Sequence, residues 1–432
     1  MKLSLLKSFS LHNSTPPQKK LLVITHLVMY FIPLLLIIFI WLPLLFIIRW
    51  RHYRIPLLPK VKDEKENDET LPITVVIALE GEVEGLYALL TSIFNQQYAG
   101  TIHVLIANYS GEKAVEETLL RMERDFRHLK HTNIATTTHL IDREKLAMSV
   151  GIKGARTEWV MLLDADVLPP APNWLQMMME ARGQDGDIVV GYSNHDVNNE
   201  ETTLWHYDVH LQNIQNFKVA RIGNYTGGFL THALIRKSHF LEQQGFSNRH
   251  TRLSIGALPL LVSHLSRTGR VCATLSAETG VFKVHSHEND FHQEALEHHI
   301  IYYYMSVKSR VINACYNISA CFLITLPLLF LYAVLQNVAL WMHFCGRETA
   351  VIVLTITPNS PMILEVIVHT IIIVVFLALL IIPLRRLHQS FEGVGINMSY
   401  PKLLIYPFLL PIYRTNKRIL AFFYRKKCVR RL

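Results

Sequence analysis

The sequence predicts an α/β domain with a mostly parallel sheet, joined to α-helical transmembrane segments. Between residues 71 and 168, short runs rich in Val and Ile alternate with stretches whose apolar residues recur at helical spacing. This alternation is typical of crossover units, in which helices cover both faces of a parallel sheet. Outside this region, three apolar stretches are each long enough to cross a bilayer, which needs about 20 helical residues.

The first crossover unit shows both patterns. Residues 73–79 read ITVVIAL and predict a buried strand, and residues 85–98 carry apolar side chains at i, i+3, i+4 and i+7 and predict a helix. In such a sheet, ligands bind beyond the carboxyl ends of the strands. Further strands are expected at 103–107, 136–141 and 159–163, and further helices at 115–126 and 144–154.

The strand expected at 159–163 ends in two aspartates. Asp164 and Asp166 follow it directly, and alternate residues of an extended chain point to the same side. Mg2+ and Mn2+ prefer carboxylate oxygens and usually keep positions for phosphate oxygens. The two aspartates therefore predict a site for Mn2+ or Mg2+ with a bound diphosphate, and a solvated turn or helix cap is the alternative.

Four segments stand in a fixed order around this strand. They are ITVVI at 73–77, LLTSIFNQQY at 89–98 and KLAMSVGI at 145–152 before it, and TGGFL at 226–230 after it. In this order and spacing, residues 71–283 resemble a family-2 glycosyltransferase with the GT-A, nucleotide-sugar-binding fold. The resemblance implies transfer of a sugar from a nucleoside diphosphate sugar with the help of a divalent metal ion.

The resemblance also implies which residues bind the donor. Glu82, Asn108, Lys145 and Asp164 are implied to bind the nucleotide sugar, and Asp166 and Asp164 to bind the metal ion. Asn108 stands where such enzymes usually carry an acidic pair, so it brings hydrogen-bonding groups but no charge.

The segment in which the family carries its catalytic base contains no carboxylate. It reads IGALPLLV from Ile255 to Val262. A positioned base contributes about 100-fold to 10,000-fold to the rate. Three explanations stay open: a base elsewhere, an acceptor such as a phosphate that needs no strong base, or a domain that no longer catalyses. The catalytic residues are thus unknown from the sequence, and the unranked candidates for the base are Asp196, Asp208, Glu278 and Glu288.

The apolar stretches define the expected domain boundaries. Residues 21–48 contain no Asp, Glu, Lys or Arg, and a charged linker separates them from the glycosyltransferase-like domain. The expected order is an N-terminal tail with the first transmembrane segment (1–56), the linker (57–70), the glycosyltransferase-like domain (71–285), an interfacial helix (286–310), the second and third transmembrane segments (311–342 and 363–384) and a basic interfacial tail (385–432).

Basic residues predict the orientation. Arg385 and Arg386 follow the third stretch, whereas the loop between the second and third stretches carries only Arg347. By the positive-inside rule, the domain and the tail are expected at the cytoplasmic face of the cell (inner) membrane, in a multi-pass protein. Lysines near the N-terminus conflict with the outside placement that three full spans require, and a re-entrant first segment would remove this conflict.

The net charge of +9 is expected to lie on the membrane side. The tail mixes apolar side chains with Lys and Arg, as is typical of segments that lie on an anionic membrane surface. The sequence shows no nucleic-acid-binding motif, so a membrane is the predicted partner and a nucleic acid is not.

These observations favour a membrane-bound glycosyltransferase of the hexosyl type. It would move a sugar from a nucleoside diphosphate sugar to a lipid-linked or surface-glycan acceptor at the cytoplasmic face. The alternative is a catalytically impaired pseudoenzyme, a membrane scaffold that binds a nucleotide sugar or a partner transferase.

Overall fold

The structure of the chain is a computed structural model. Apart from residues 384 and 385, the residues that it describes belong to one compact unit. The first expected transmembrane segment and the linker lie outside them, as do residues 319–342 and 363–383 of the other two expected segments. In the part described, no helix has both the length and the apolar character needed to cross a bilayer. The described residues are 71–81, 83–135, 141–196, 202–220, 222–246, 250–283, 296–318 and 384–424.

The N-terminal half of the domain alternates strands and helices, as the sequence predicts. The third strand lies earlier than the predicted 136–141, of which only residue 141 is described. It has the sequence LKHTN at the edge of the sheet, where one face is exposed, so it lacks an apolar run. The elements are β1 (Ile73–Leu79), α1 (Leu86–Phe94), β2 (Ile102–Asn108), α2 (Lys113–Asp125), β3 (Leu129–Asn133), α3 (Arg143–Gly154) and β4 (Trp159–Leu163).

The C-terminal half contains shorter strands and a long buried helix. The expected interfacial helix at 286–310 is described only from residue 296. The elements are β5 (Val167–Leu168), α4 (Trp174–Glu180), β6 (Ile188–Val190), β7 (Ser193–His195), α5 (Leu204–Ala220), β8 (His232–Arg236), α6 (Lys237–Glu242), α7 (Ala257–Leu265), β9 (Val271–Ala273), β10 (Val281–Lys283), the described helical residues 296–301 (α8), 307–318 (α9) and 384–392 (α10), and α11 (Tyr400–Tyr424).

Seven of these strands form a mixed sheet in the order β3-β2-β1-β4-β8-β6-β9. β8 runs antiparallel to both of its neighbours, and the other neighbouring pairs of this sheet are parallel. The α/β fold is therefore confirmed, with one reversed strand in the mostly parallel sheet. A second sheet has the order β5-β10-β7.

The core lies on both faces of the large sheet. Ile73, Val75 and Ile77 of β1 pack with the apolar residues of α1, α2 and α4. Val76 points to the other face and packs with residues of α3 and α7. This alternation follows from the two-residue repeat of a strand and explains why β1 is apolar at nearly every position.

The C-terminal helices pack on α5. Phe391 of α10 stacks on His210 of α5 with ring centroids 3.7 Å apart. Lys402 of α11 donates a hydrogen bond from Nζ to the carbonyl oxygen of Thr202, at 3.0 Å. The basic tail expected from the sequence is therefore, over residues 400–424, a helix that belongs to the same compact unit as the domain.

Candidate nucleotide-sugar and metal site

The two aspartates predicted as metal ligands lie at the carboxyl end of β4. The chain is not extended there as predicted, because residues 165 and 166 form a turn between β4 and β5. The backbone N–H of Asp164 donates to the carbonyl oxygen of Thr231 at 3.0 Å, which fixes the end of β4 against the segment that leads into β8. Asp164 is half-buried, and the side chain of Asp166 is 41% exposed. Both carboxylates therefore stand at the edge where a ligand of this kind of sheet binds.

Lys283 lies beside Asp166. Its Nζ is 3.0 Å from Oδ2 of Asp166, and its side chain is 19% exposed. The pairing of β10 with β5 produces this contact, because Lys283 stands opposite Val167, the residue after Asp166. The ammonium group brings a positive charge close to the carboxylate of Asp166.

Further carboxylates surround Tyr109, which follows β2. Burial raises the pKa of the Tyr109 phenol, and the nearby carboxylates of Glu144, Glu80, Asp142 and Asp164 raise it further. Glu80 follows β1, and Asp142 and Glu144 begin α3. The ends of β1, β2 and β4 and the start of α3 thus form one acidic region.

Glu144 is the most perturbed of these carboxyl groups. Burial raises its pKa to about 7, with Lys145 and Lys283 lowering it and Asp142 and Glu80 raising it. The group therefore titrates near neutral pH, which is common for carboxyl groups in binding and catalytic sites.

Lys145 is fully buried, and its ammonium group binds backbone carbonyl oxygens of the segment before α7. Its Nζ donates to the carbonyl oxygens of Leu253 and Ile255, at 2.6 and 2.9 Å, and lies 3.8 Å from Asp142. The side chain thus fixes the segment that precedes α7. The role in binding the nucleotide sugar that the sequence implied for Lys145 stays a prediction.

Asn108 also binds protein groups. Its Nδ2 donates to Oδ1 of Asn133 at 2.9 Å, and its Oδ1 accepts from the N–H and the hydroxyl of Ser110. These bonds connect β2 with β3 and close the turn after β2. The role in binding the nucleoside stays a prediction, and Glu82 lies outside the described residues.

The segment without a carboxylate forms the start of α7. Gly256 precedes this helix with φ +65°, and a Cβ there would lie 2.5 Å from Cδ1 of Ile301. Ala257 and Leu258 are each 2% exposed and belong to the hydrophobic core. The first turn of α7 is therefore core, and these side chains offer no group that can accept a proton.

The residues at the end of β4 fit a divalent metal ion. No group of three or more His, Cys, Asp or Glu suited to a metal ion occurs among the described residues. A Mg2+ or Mn2+ ion, however, usually needs only one or two carboxylates when phosphate oxygens complete its coordination. Asp164 and Asp166 supply these, on the condition that the metal ion displaces Lys283 from Asp166.

Sequence reasoning singled out the aspartates but not Lys283 or Glu144, which the structure places near them. Lys283 comes into the site through the pairing of β10 with β5, 117 positions along the chain from Asp166, and no local pattern indicates this. Glu144 stands in the first turn of a predicted helix, where an acidic residue is commonly explained by the helix dipole.

Part of the chain is similar to a known family of glycosyltransferases. Residues 74–241 match the family model described as Glycosyl transferase family 2. This match spans β1 to α6 and includes both aspartates at the end of β4. No curated protein matches the chain.

Two solved structures are similar to the chain. The mannosyltransferase PcManGT from Pyrobaculum calidifontis, in complex with GDP-Man and Mn2+, is 14% identical with a TM-score of 0.47, over 91% of this chain and 97% of that one. The S. aureus protein TarS (1-349), in complex with UDP, is 14% identical with a TM-score of 0.38, over 83% of this chain and 90% of that one.

Proposed function

We propose that this chain is a membrane-bound glycosyltransferase that moves a sugar from a nucleoside diphosphate sugar to a lipid-linked or surface-glycan acceptor at the cytoplasmic face. The observation that carries the proposal is the pair Asp164 and Asp166 at the end of β4, inside the segment that matches family 2. Carboxylates at this edge of the sheet suit a metal ion with a diphosphate.

The chain's own residues would act in the following way. Asp166 and Asp164 would hold a Mn2+ or Mg2+ ion, which would supply positive charge to the leaving diphosphate. Lys283, once displaced from Asp166, would place its ammonium group beside the same phosphate oxygens. The acidic region around Tyr109 would lie on the nucleoside side, because it is built on the ends of β1 and β2.

The second candidate is a pseudoenzyme that binds a nucleotide sugar or a partner transferase and does not catalyse. The observation that favours it is the buried start of α7, where Ala257 and Leu258 belong to the core. If the protein does catalyse, its base lies outside this segment. Sugar transfer and nucleotide binding therefore have to be measured separately to distinguish the two candidates.

Support for the membrane location comes from the sequence and from α11. The described helix α9 leads directly into the apolar residues 319–342. α11 exposes large apolar side chains on its surface, and Ile412 and Phe423 are 65% and 70% exposed. Lys417 lies on the same helix. Exposed apolar groups beside cations suit a helix that lies on an anionic bilayer surface.

Nucleotide binding tests the site. We expect titration calorimetry of the purified full-length protein to show binding of UDP or GDP in the presence of Mn2+, weakened at least tenfold by EDTA and by Asp166→Ala. Asp185→Ala is the matched control, because Asp185 is exposed and pairs with Arg270 away from the site. Equal affinity in Asp166→Ala and the wild type would reject the assignment of the site.

Cysteine accessibility tests the membrane orientation. We expect Cys428 and a cysteine introduced in the linker to react from the cytoplasmic side, and a cysteine at Glu348 to react from outside. Labelling of the linker from outside intact cells would place the domain away from cytosolic nucleotide sugars and would reject the proposed function.

A further inference from the structure

The small sheet brings a second carboxylate to the edge that carries Asp166. β10 runs antiparallel to β5 and parallel to β7, and Lys283 faces both Val167 and His195. Asp166 comes just before Val167, and Asp196 comes just after His195. Val167, Lys283 and His195 thus form one row across the three strands. Because β5 and β7 run in opposite directions, Asp166 and Asp196 both lie one position beyond this row, at the end of the sheet where β10 ends.

Asp196 is held there by its backbone. Its N–H donates to the carbonyl oxygen of Lys283 at 2.9 Å, which extends the pairing of β7 with β10 by one residue. Its side chain is exposed. The backbone of Asp196 is thus fixed relative to Lys283, whose ammonium group contacts Asp166.

The strand spacing gives the separation of the two backbones, because Asp166 and Asp196 stand beside the two strands that flank β10. Two steps between neighbouring strands separate the backbones of Asp166 and Asp196, and each step is about 4.8 Å. In inverting glycoside hydrolases, the two carboxyl groups stand about 6.5 to 9.5 Å apart, so that a nucleophile enters between one of them and the sugar. A transferring enzyme has the same need, because the acceptor attacks the face of the sugar opposite the leaving diphosphate.

The buried candidate for the base is already engaged. Asp208 is fully buried, and its Oδ1 accepts hydrogen bonds from Arg414 and from Gln212. The guanidinium group of Arg414 lowers the pKa of this carboxyl group against the effect of burial, which raises it. Asp208 therefore neither faces the site nor holds a proton readily.

Two other carboxylates lie elsewhere. Glu278 stands in the turn before β10, at the end of that strand opposite to Lys283. Glu144 has a raised pKa and lies with Tyr109 and Glu80 at the ends of β1 and β2, where Lys283 still lowers its pKa. It begins α3 and does not stand on the small sheet that carries Asp196. Glu288 lies outside the described residues.

We propose that Asp196 is the catalytic base of this transferase, in place of the carboxylate that is missing from the start of α7. This proposal rests on the proposed function. A carboxylate oxygen of Asp196 takes the proton of the acceptor hydroxyl. At the same time, the hydroxyl oxygen of the acceptor forms a bond to C1 of the sugar. The bond from C1 to the phosphate oxygen breaks, and the nucleoside diphosphate leaves with the electron pair.

The test uses the full-length protein in membrane vesicles, which contain the cell's own acceptors. Release of UDP or GDP from UDP-glucose, UDP-N-acetylglucosamine or GDP-mannose is measured, and vesicles without the protein give the background. We expect Asp196→Ala to lower the release by about 100-fold to 10,000-fold. We also expect calorimetric binding of UDP or GDP with Mn2+ to stay within twofold of the wild type. Glu278→Gln is the matched control and should keep wild-type release.

Rescue by azide distinguishes a catalytic base from a residue that only positions other groups. It is a nucleophile that carries no proton, so its attack on C1 needs no base and gives a glycosyl azide and the nucleoside diphosphate. We expect azide to raise release by Asp196→Ala at least tenfold and to leave the wild type within twofold.

The following results would overturn the assignment. They are full release by Asp196→Ala, loss of nucleotide binding in this variant, or loss of release that azide does not restore. A wild type that binds nucleotide and releases none would overturn the transferase proposal and the base with it. If the wild type releases nucleoside diphosphate and azide does not restore release by Asp196→Ala, the role of Asp196 as the base is rejected and the transferase proposal stands.

Discussion

Arg414 of α11 donates hydrogen bonds from Nε and Nη2 to Oδ1 of Asp208 in α5, at 2.8 and 2.5 Å, across 206 positions of the chain. Asp208 is fully buried and Arg414 is 7% exposed. Arg414 also donates to Oδ1 of Asn317 in α9, at 2.6 Å. One guanidinium group thus connects three helices that are far apart in the sequence.

We predict that Arg414→Met lowers the free energy of unfolding by about 3 to 5 kcal/mol, because it leaves the buried carboxylate of Asp208 without its cation. Thermal unfolding of the purified protein measures this. Lys417→Met, one turn along the same helix, is the control and should cost less than about 1 kcal/mol. Equal melting temperatures for the two variants would show that the ion pair contributes nothing.

We predict that Lys283→Met raises the affinity for Mn2+ in the absence of nucleotide about tenfold, the effect of removing about 1.4 kcal/mol of competition for Asp166. Titration of free Mn2+ by electron paramagnetic resonance measures it. Lys283→Arg keeps the charge and should change the affinity less. An unchanged affinity in Lys283→Met would mean that the ammonium group and the metal ion do not share Asp166.

We predict that Leu258→Asp destabilises the protein by about 4 kcal/mol or more and gives no gain in sugar transfer, because Leu258 is 2% exposed in the core. Leu258→Met conserves volume and should cost less than about 1.5 kcal/mol. A folded Leu258→Asp protein with at least tenfold more transfer would show instead that the site lost only its carboxylate.

We predict that Glu144 makes the protein less stable as the pH rises from about 4.5 to 7. Burial raises the pKa of Glu144 to about 7 from 4.5, so the folded state keeps a proton that the unfolded chain has lost. Stability is highest below this range and levels off above it. Glu144→Gln should remove the slope and gain roughly 1 to 3 kcal/mol at pH 8.

Glu117→Gln, at an exposed position of α2, is the control for this slope. Urea unfolding at several pH values compares the variants. The same slope in Glu144→Gln and the wild type would assign the pH dependence to other groups.

Local pattern was sufficient for the part of the fold that consists of crossover units. The apolar repeat of residues 73–79 determines the strand without distant partners. The extended geometry expected at Asp164 and Asp166 is wrong, because residues 165 and 166 form a turn between β4 and β5, and Lys283 contacts Asp166. The same kind of pattern predicted nothing about α5, which is buried on nearly all sides although it carries Asp208, Gln212 and Asn216.

The reason is that these polar groups find partners far away in the sequence. Oδ1 of Asn216 accepts from the N–H and hydroxyl of Thr226, and Asp208 meets Arg414. Lys283 and Asp196 likewise meet the site through strand pairing between short elements. A sequence shows such residues as ordinary surface polar groups, because burial of this kind is decided by the tertiary fold.

The ion pair of α5 and α11 also sets an order during synthesis. A ribosome makes Asp208 about 200 residues before Arg414, and both expected transmembrane stretches, 311–342 and 363–384, are made in between. At a synthesis rate of roughly 5 to 20 residues per second, Arg414 is made about 10 to 40 seconds after Asp208. The packing around α5 is therefore completed only after these apolar stretches have left the ribosome. A chain that ends before residue 414 lacks the guanidinium group that binds Asp208.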